Sequence, residues 1–249
     1  MPKVICITGA TAGVGWATAL RFAGEGWNVI VTGRRQERLE ELAKMIGPSC
    51  LPLCLDVGDR AAVEKAFAGL TAPFAPIDVL VNNAGCAFGR EPAQECLMDD
   101  WEAMVDTNIM GVLYCTRAVI GDMAARKSGQ IVNISSIAGF TTYRGANVYG
   151  ASKAFVKQFS QNLRADLHGT GVRVNDIEPG NMETEFSLVR FKGDAAQAKA
   201  VYAGLDPLVA ENIADAIWFV VSAPPHVNIN RMEIMPVCQS QGGTVFFRK

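Results

Sequence analysis

The stretch Val4-Ile-Cys-Ile-Thr-Gly-Ala-Thr-Ala-Gly-Val-Gly15 decides the fold that we predict for this chain of 249 residues. Its apolar start, Val4–Thr8, predicts a short buried strand, and Val14–Gly26 has the apolar spacing of a helix. Glycines between a strand and a helix permit a tight turn and a close approach of a pyrophosphate to the helix N-terminus. The Gly-x-x-x-Gly-x-Gly spacing differs from the Gly-x-Gly-x-x-Gly fingerprint of dinucleotide sites, so a plain turn is the alternative. Its place in the first strand–helix turn favours the nucleotide site.

Strands and helices alternate along the rest of the chain. Further strands are predicted at Asn28–Thr32, Cys50–Leu55, Ile77–Asn82, Gln130–Ser135, Val172–Ile177 and Asn228–Met235. Helices are predicted at Gln36–Ile46, Arg60–Leu70, Asp100–Gly111, Val112–Arg126, Asn147–Leu167, Ala195–Tyr202 and Ala210–Val221. This alternation indicates βαβ units and a parallel sheet that is covered on both faces. We therefore predict one α/β domain, 1–249, with a cofactor-binding half at 1–85 and a catalytic half at 86–249.

Composition and charge exclude several classes of function. The net charge is −2 and no block of lysine and arginine stands out, which argues against nucleic-acid binding through a basic face. Seven scattered cysteines without an export signal predict reduced thiols and a cytoplasmic location. No apolar stretch reaches the roughly 20 residues of a membrane span. With only two histidines in the chain, we predict no metal site.

The end of the second predicted strand, Val31-Thr-Gly-Arg-Arg35, indicates which cofactor binds. An NAD site usually places an acidic residue here for the ribose 2′-hydroxyl, and none occurs between Glu25 and Glu37. Instead, Arg34 and Arg35 are suited to hold a 2′-phosphate through charge-assisted hydrogen bonds. The alternative is that both arginines are solvated residues at the start of a charged helix. We predict NADP(H), with Arg34 favoured over Arg35 as the contact.

Other strand ends carry small or polar residues where open α/β sheets bind ligands. Asp56 follows the third predicted strand, and Asn82-Asn-Ala-Gly85 ends the fourth. The cofactor-binding residues predicted in this half are Gly9, Thr11, Ala12, Gly13, Val14, Gly15, Arg34, Arg35, Asp56, Val57, Asn82, Ala84 and Gly85.

Three residues in the second half suggest proton transfer. Tyr149 and Lys153 lie one helical turn apart, and Ser136 lies thirteen residues upstream of Tyr149 at the end of a predicted strand. A lysine at i+4 stabilises a phenolate, which a tyrosine needs to exchange a proton near neutral pH. The alternatives are a surface helix pair and an ordinary strand-end turn. A hydride carrier and a tuned proton donor together predict carbonyl–alcohol redox chemistry.

Taken together, these motifs resemble the short-chain dehydrogenase/reductase family over essentially the whole chain. The matching set is Thr8-Gly…Gly13-x-Gly15, Asn82-Asn-Ala-Gly85, Asn108, Ser136, Tyr149-x-x-x-Lys153 and Pro179-Gly180. The resemblance implies a single-domain Rossmann-type fold, a doubly wound parallel sheet of about seven strands flanked by helices. It also implies a homotetramer, with a dimer as the alternative.

The same resemblance implies a role for each site residue. Tyr149 would be the general acid in reduction and the general base in oxidation, with its pKa lowered from about 10 by Lys153 and the oxidised nicotinamide. Lys153 would also hold the nicotinamide ribose, and Ser136 would orient the substrate oxygen. Asn108 would anchor a water that leads to Lys153. The cofactor site would further include Tyr149, Pro179, Gly180 and Thr184.

A closer resemblance joins the chain to NADP-dependent 3-hydroxy acid dehydrogenases. It is carried by Thr32–Leu39, Val148–Phe155, Asp176–Gly180, Glu185–Phe191 and Asn228–Pro236. It implies a small substrate such as serine, allo-threonine or 3-hydroxypropionate, and the corresponding semialdehyde or keto form. Sulfoacetaldehyde reductases are similar over the same segments, and a broad-specificity carbonyl reductase is a further alternative. A non-catalytic NADPH-binding sensor would belong to a different class, but it has no reason to keep all four catalytic residues.

A small acid needs a cation in the substrate pocket. Arg144 lies just before Tyr149, while Arg190 and Lys192 belong to the predicted loop 181–194. Each is a hypothesis, since each is equally compatible with a solvated loop residue. The tail, Gln239–Lys249, is expected either to fray or to pack on a neighbouring subunit, with the second favoured.

Overall fold

The predicted strands form one parallel sheet in the computed structural model, which describes residues 2–241 and 245–248. In this part of the chain the strands are β1 Val4–Ile7, β2 Asn28–Gly33, β3 Cys50–Cys54, β4 Val79–Asn82, β5 Gly129–Ile134, β6 Val172–Pro179 and β7 Arg231–Ile234. Their order across the sheet is β3-β2-β1-β4-β5-β6-β7. The order reverses between β1 and β4, which creates the crevice where such sheets bind ligands. The predicted α/β fold with a doubly wound parallel sheet is confirmed.

Helices cover both faces of the sheet. They are α1 Gly13–Gly24, α2 Gln36–Ile46, α3 Arg60–Ala68, α4 Met98–Val105, α5 Gly111–Ala125, α6 Asn147–Asp166, α7 Phe186–Arg190, α8 Ala195–Ala200 and α9 Ala210–Ser222. The predicted helix Asp100–Gly111 is wrong in detail, because a π-helical turn, Asp106–Met110, joins α4 to α5. The segment 181–194, expected as a loop, contains α7. In the described residues, no helix combines the length and the apolarity of a membrane crossing.

The core consists of two apolar layers, one on each face of the sheet. On one face, Ile5 and Ile7 of β1 pack in the same cluster as Phe22 of α1 and Ile217 of α9. On the other face, Val4 and Cys6 belong to the cluster that includes residues of α3, α5 and α6. Because strands of a parallel sheet are buried on both faces, their sequences are almost continuously apolar. This rigid sheet fixes the positions of the loops at its carboxyl edge.

The described tail residues, 239–241 and 245–248, fold back on their own chain, and residues 242–244 and 249 of the predicted tail segment lie outside the described residues. The Ser240 amide donates to the Val245 carbonyl, and the Phe247 amide donates to the Cys238 carbonyl. The Gln239 side chain accepts a hydrogen bond of 2.8 Å from the Asn181 amide. The bond from Asn181 attaches the tail to the segment that follows β6.

Candidate active site

A cavity of about 1010 Å³ lies at the carboxyl edge of the sheet. Its lining includes most of the residues predicted to bind the cofactor or to act in catalysis, from Gly9 after β1 to Gly180 after β6. Four predicted site residues are not part of the lining: Gly15, Asn82, Asn108 and Lys192. The cavity therefore brings together the two predicted halves of the site.

The glycine turn after β1 is built by close backbone packing. Gly9 has a φ of +67°, and a Cβ there would lie 2.7 Å from the Cα of Ala84. A Cβ on Gly15 would lie 2.5 Å from the Gly9 carbonyl oxygen, so Gly15 serves packing rather than the lining. Helix α1 begins at Gly13 without a side-chain cap, which leaves backbone N–H groups directed at the cavity. This arrangement fits a pyrophosphate at the helix N-terminus.

The two arginines after β2 have different environments. The Arg35 guanidinium donates to the hydroxyl and carbonyl oxygens of Thr11 and to Glu185, 2.9 Å away. Arg34 is 66% exposed, and its Nη1 lies 3.7 Å from Oδ2 of Asp56. Both arginines line the cavity. Arg35 thus ties the glycine turn to the segment after β6, whereas the exposed side chain of Arg34 forms a solvent-screened ion pair with Asp56.

Asn82, which we predict to bind the cofactor, and its neighbour Asn83 have different environments at the end of β4. Asn82 is buried, and its Nδ2 donates to Thr116 and to Asn133, which links β4 to α5 and β5. Asn83 instead lines the cavity, and its Nδ2 donates to the carbonyl oxygens of Thr8 and Gly9. Asn83 therefore supports the glycine turn. The sequence motif contains both residues, but it does not indicate which side chain faces the cavity and which is buried in the core.

Asn108 lies on the π-helical turn and is 1% exposed. Its Oδ1 accepts a hydrogen bond from the Cys86 amide, and its Nδ2 donates to the Cys86 carbonyl and to the Ser152 hydroxyl. π-Helical turns occur frequently at functional sites. A Cβ on Gly85 would lie 3.3 Å from Lys153 Nζ and 3.4 Å from Asn108 Oδ1. Asn108 and Lys153 thus both lie close to Gly85, which lines the cavity.

Ser136, Tyr149 and Lys153 meet as predicted. The Ser136 hydroxyl donates to the Pro179 carbonyl at 3.4 Å, and it favours the phenolate of Tyr149. Lys153 Nζ donates to the Ile134 carbonyl at 2.8 Å and lies 6.0 Å from the centre of the Tyr149 ring. Tyr149 and Lys153 are 9% and 6% exposed, because α6 presents both residues to the end of β5. The phenol of Tyr149 thus lines the cavity together with Ser136 and Lys153.

Burial controls the acid–base character of this site. Burial raises the pKa of Tyr149, and Tyr143 adds to that increase, while the Ser136 hydroxyl and the Arg190 charge oppose it. The lowered pKa that we predict for Tyr149 includes the charge of the oxidised nicotinamide, whereas in the protein alone burial outweighs the groups that favour the phenolate. Burial also lowers the pKa of Lys153 to about 8, and the Asp176 carboxylate opposes this change.

Arg190, one of the three cations predicted to bind the substrate, lies beside the ring of Tyr149. Arg190 is 7% exposed, and its guanidinium carbon lies 5.5 Å from the centre of the Tyr149 ring. It donates to the Gly89 carbonyl at 3.1 Å and to the Tyr143 hydroxyl at 3.3 Å. Arg144 is exposed and lines the cavity. Lys192 instead forms an ion pair of 2.7 Å with Asp100 outside the cavity lining.

Several residues that line the cavity belong to no motif in the sequence. Arg90 is one of them, and burial followed by the Arg190 charge lowers its pKa. Two arginines separated by 100 positions in the chain thus increase the positive charge around the cavity. Tyr202 of the segment after α8 and the tail residues Gln239, Phe246 and Arg248 also contribute to the lining. No local motif in the sequence marks these residues, because tertiary folding alone brings them to the site.

An uncapped helix N-terminus, an arginine suited to a phosphate and a buried tyrosine with a serine and a lysine define a nucleotide-dependent redox site. Residues 3–194 match the family described as short chain dehydrogenase. This chain belongs to the short-chain dehydrogenase family, as the motifs predicted.

Known relatives cover nearly the full length of the chain. It is 53% identical over 241 residues to the NADP-dependent 3-hydroxy acid dehydrogenase YdfG of Escherichia coli (strain K12), covering 96% of this chain and 97% of the relative. It is 50% identical over 249 residues to the serine 3-dehydrogenase of Agrobacterium fabrum (strain C58 / ATCC 33970), covering 100% of both chains. Among solved structures, the closed form of serine dehydrogenase complexed with NADP⁺ matches with a TM-score of 0.95 and 52% identity, covering 99% of this chain and 100% of that chain.

Proposed function

We propose that this chain is an NADP(H)-dependent oxidoreductase that interconverts a small 3-hydroxy acid and its semialdehyde or keto form. The observation that carries the proposal is the buried Arg190 guanidinium 5.5 Å from the Tyr149 ring. A cation at this distance places the carboxylate of a short acid beside the group that exchanges the proton. The relatives named for 3-hydroxy acid and serine dehydrogenation support the same substrate class.

The residues of the site divide the chemistry among themselves. In oxidation, the Tyr149 phenolate takes the proton of the substrate hydroxyl, and in reduction the phenol returns it to the carbonyl oxygen. Ser136 hydrogen-bonds the substrate oxygen and orients it toward Tyr149. The Lys153 ammonium stabilises the phenolate and so offsets the effect of burial on Tyr149. Bound NADP⁺ supplies the hydride acceptor.

The cofactor site extends from the glycine turn to β6. Backbone N–H groups at the start of α1 would hold the pyrophosphate, with Gly9 and Gly13 permitting its approach. Arg34 would hold the 2′-phosphate, since Arg35 is engaged by Thr11 and Glu185. Asp56 and Val57 would contact the adenine, while Gly85, Lys153 and Gly180 would border the nicotinamide riboside. The relative solved with NADP⁺ supports the choice of cofactor.

Replacing Arg34 tests the cofactor assignment. We expect Arg34→Ala to raise the KM for NADP⁺ by about tenfold or more, since a charge-assisted hydrogen bond contributes about 1.5–3 kcal/mol. The KM for NAD⁺ should change little, because NAD⁺ has no 2′-phosphate. Initial rates with both cofactors measure the two values. An equal rise in both KM values would assign Arg34 to general folding of the site.

The substrate class is tested by oxidation rates with three hydroxy compounds. We would measure NADPH formation from NADP⁺ with L-serine, 3-hydroxypropionate and isethionate in parallel. We expect turnover of the first two compounds. Turnover of isethionate alone would overturn the proposed substrate in favour of sulfoacetaldehyde reduction, and no turnover of any of the three would exclude this substrate class.

We also propose a homotetramer in the cytoplasm and a single domain over residues 1–249. All seven cysteines are free, which is typical of proteins in a reducing compartment. One sheet runs through both predicted halves, joined where β4 pairs with β5. Light scattering after gel filtration measures the assembly, and a monomer mass would contradict the proposed tetramer.

A further inference from the structure

Strand β6 carries two carboxyl groups in the protein interior, Asp176 and Glu178. Residues two apart on a strand point to the same side of the sheet, and here both are almost fully buried, at 1% and 0% exposure. Buried carboxylates are costly unless charged groups or hydrogen bonds compensate them. The proposed reaction mechanism uses neither residue, so their partners indicate what they do.

Glu178 is neutralised by two cations. Arg231 of β7 binds it with both ends of the guanidinium, from Nε to Oε1 at 3.1 Å and from Nη2 to Oε2 at 2.7 Å. Lys157 of α6 adds an ion pair of 3.5 Å to Oε1. A bidentate arginine is a strong and geometrically specific partner for a carboxylate. Glu178 therefore has a cationic partner from β7 and another from α6.

Asp176 has a different environment. Neither of its carboxylate oxygens forms a hydrogen bond of normal geometry in the described part of the structure. The groups that act on it are Ser135 after β5, Glu178 on its own strand and Lys153 of α6, and its register partner in β7 is Arg231. Lys153 lies one helical turn before Lys157, the α6 residue that pairs with Glu178. Its Nζ donates to the carbonyl of Ile134, whose register partner in β6 is Ile177. Asp176 and Glu178 thus face α6 beside Lys153 and Lys157, respectively.

The charges of Asp176 and Lys153 depend on each other. Burial raises the pKa of Asp176 to about 7, with Glu178 adding to the rise and the Ser135 hydroxyl and the Lys153 ammonium opposing it. Burial lowers the pKa of Lys153 to about 8, and Asp176 is the first group that opposes this, followed by Cys86. Each of these two opposite charges favours the charged form of the other. Losing the charge of Asp176 would therefore favour the neutral amine of Lys153.

We propose that ionised Asp176 is a positioning residue that keeps Lys153 protonated during catalysis, and that Arg231 and Lys157 keep Asp176 ionised by neutralising Glu178. The inference deepens the proposed function and rests on it, because it concerns the lysine that stabilises the Tyr149 phenolate. The residues that influence catalysis would then include Arg231, which lies on β7 at the edge of the sheet. The pH dependence of the reaction is thereby set partly from outside the cavity.

The direction of the pH shift follows from the charges. Without the carboxylate of Asp176, Lys153 loses its proton at a lower pH, so the phenolate of Tyr149 is less stabilised and forms at a higher pH. We expect Asp176→Asn to move the acid limb of kcat/KM for alcohol oxidation to higher pH by about one unit. Arg231→Gln should move it in the same direction by less, because Glu178 would then oppose the ionisation of Asp176.

Glu178→Gln is the variant that separates charge from structure. It removes a like charge beside Asp176, so we expect its acid limb to stay in place or to move to lower pH. If Asp176 had only a structural role, both Asp176→Asn and Glu178→Gln would lower the rate, and neither would move the acid limb. That result would overturn the proposal. Arg231→Gln replaces a partly exposed residue and tests the same direction if Asp176→Asn fails to fold.

A measurement without substrate distinguishes this inference from the proposed function. Tyrosinate absorbance of the full chain, compared with the matching Tyr149→Phe protein, reports the pKa of Tyr149 directly. We expect Asp176→Asn to raise that pKa and Glu178→Gln to leave it unchanged or to lower it. This result would support the inference even if no hydroxy acid were turned over. An unchanged Tyr149 pKa in Asp176→Asn would overturn it, whatever the substrate proves to be.

Discussion

Tyr149→Phe should lose turnover by roughly 10³-fold or more while NADPH still binds, because positioned proton transfer contributes about 10²–10⁴-fold to such reactions. The substitution removes only the phenolic oxygen, whose ionisation the Ser136 hydroxyl favours. The ring remains, with its centre 5.6 Å from that of Phe186. Steady-state rates and NADPH fluorescence titration measure turnover and binding separately.

Tyr202→Phe is the matched control for this change. Tyr202 lines the same cavity, but its hydroxyl donates to the Met182 carbonyl at 2.9 Å and pairs with Ser187. We expect its kcat to stay within about tenfold of the wild-type value, since a net hydrogen bond contributes only about 1 kcal/mol. Similar losses in the two variants would mean that Tyr149 supports the shape of the cavity rather than the proton transfer.

Arg190→Met should lower kcat/KM for malonic semialdehyde by roughly 10²-fold, because truncating one partner of a buried charge pair costs about 2–5 kcal/mol. A neutral aldehyde of similar size should lose much less, since it presents no carboxylate to Arg190. One part of the loss should be common to both substrates, because the Arg190 charge also favours the phenolate of Tyr149. The neutral aldehyde should show only this common part. The ratio of kcat/KM between the two substrates isolates the anion contact.

Lys192→Met provides the control on the same segment of chain. Lys192 is 52% exposed and pairs with Asp100 outside the cavity lining. Its removal should leave the ratio of acidic to neutral substrates unchanged, because an exposed ion pair contributes little. Equal losses for acidic and neutral substrates in Arg190→Met would remove Arg190 as the anion-binding residue.

The sheet was predictable because burial on both faces leaves a clear pattern in the sequence. Strands β1, β2 and β4 are almost wholly apolar and lie next to turns rich in glycine or asparagine. The junction of α4 and α5 was not predictable in the same way. Apolar spacing continues through residues 98–125, and the wider π-helical turn at Asp106–Met110 changes that spacing too little to detect.

The catalytic core of the site was predictable for a different reason. Ser136, Tyr149 and Lys153 lie close together in the chain, so motif and helical spacing fix their relation. Arg90 and Arg190 come together only through tertiary folding, and the Gly89 amide donates to the Arg190 carbonyl across that gap. The Asn82 side chain is buried through hydrogen bonds to Thr116 and Asn133, and no motif connects those residues to it. Residues positioned by distant partners therefore need the structure.

The measurement that tests the account most directly is the reduction of malonic semialdehyde with NADPH that carries deuterium at its transferable position. Hydride transfer to the aldehyde carbon, with a proton from Tyr149 to the oxygen, predicts 3-hydroxypropionate labelled at carbon 3 and an equal amount of NADP⁺. The account would be contradicted if the protein bound NADPH, with the 2′-phosphate at Arg34, and yet left it unreacted in the presence of the aldehyde.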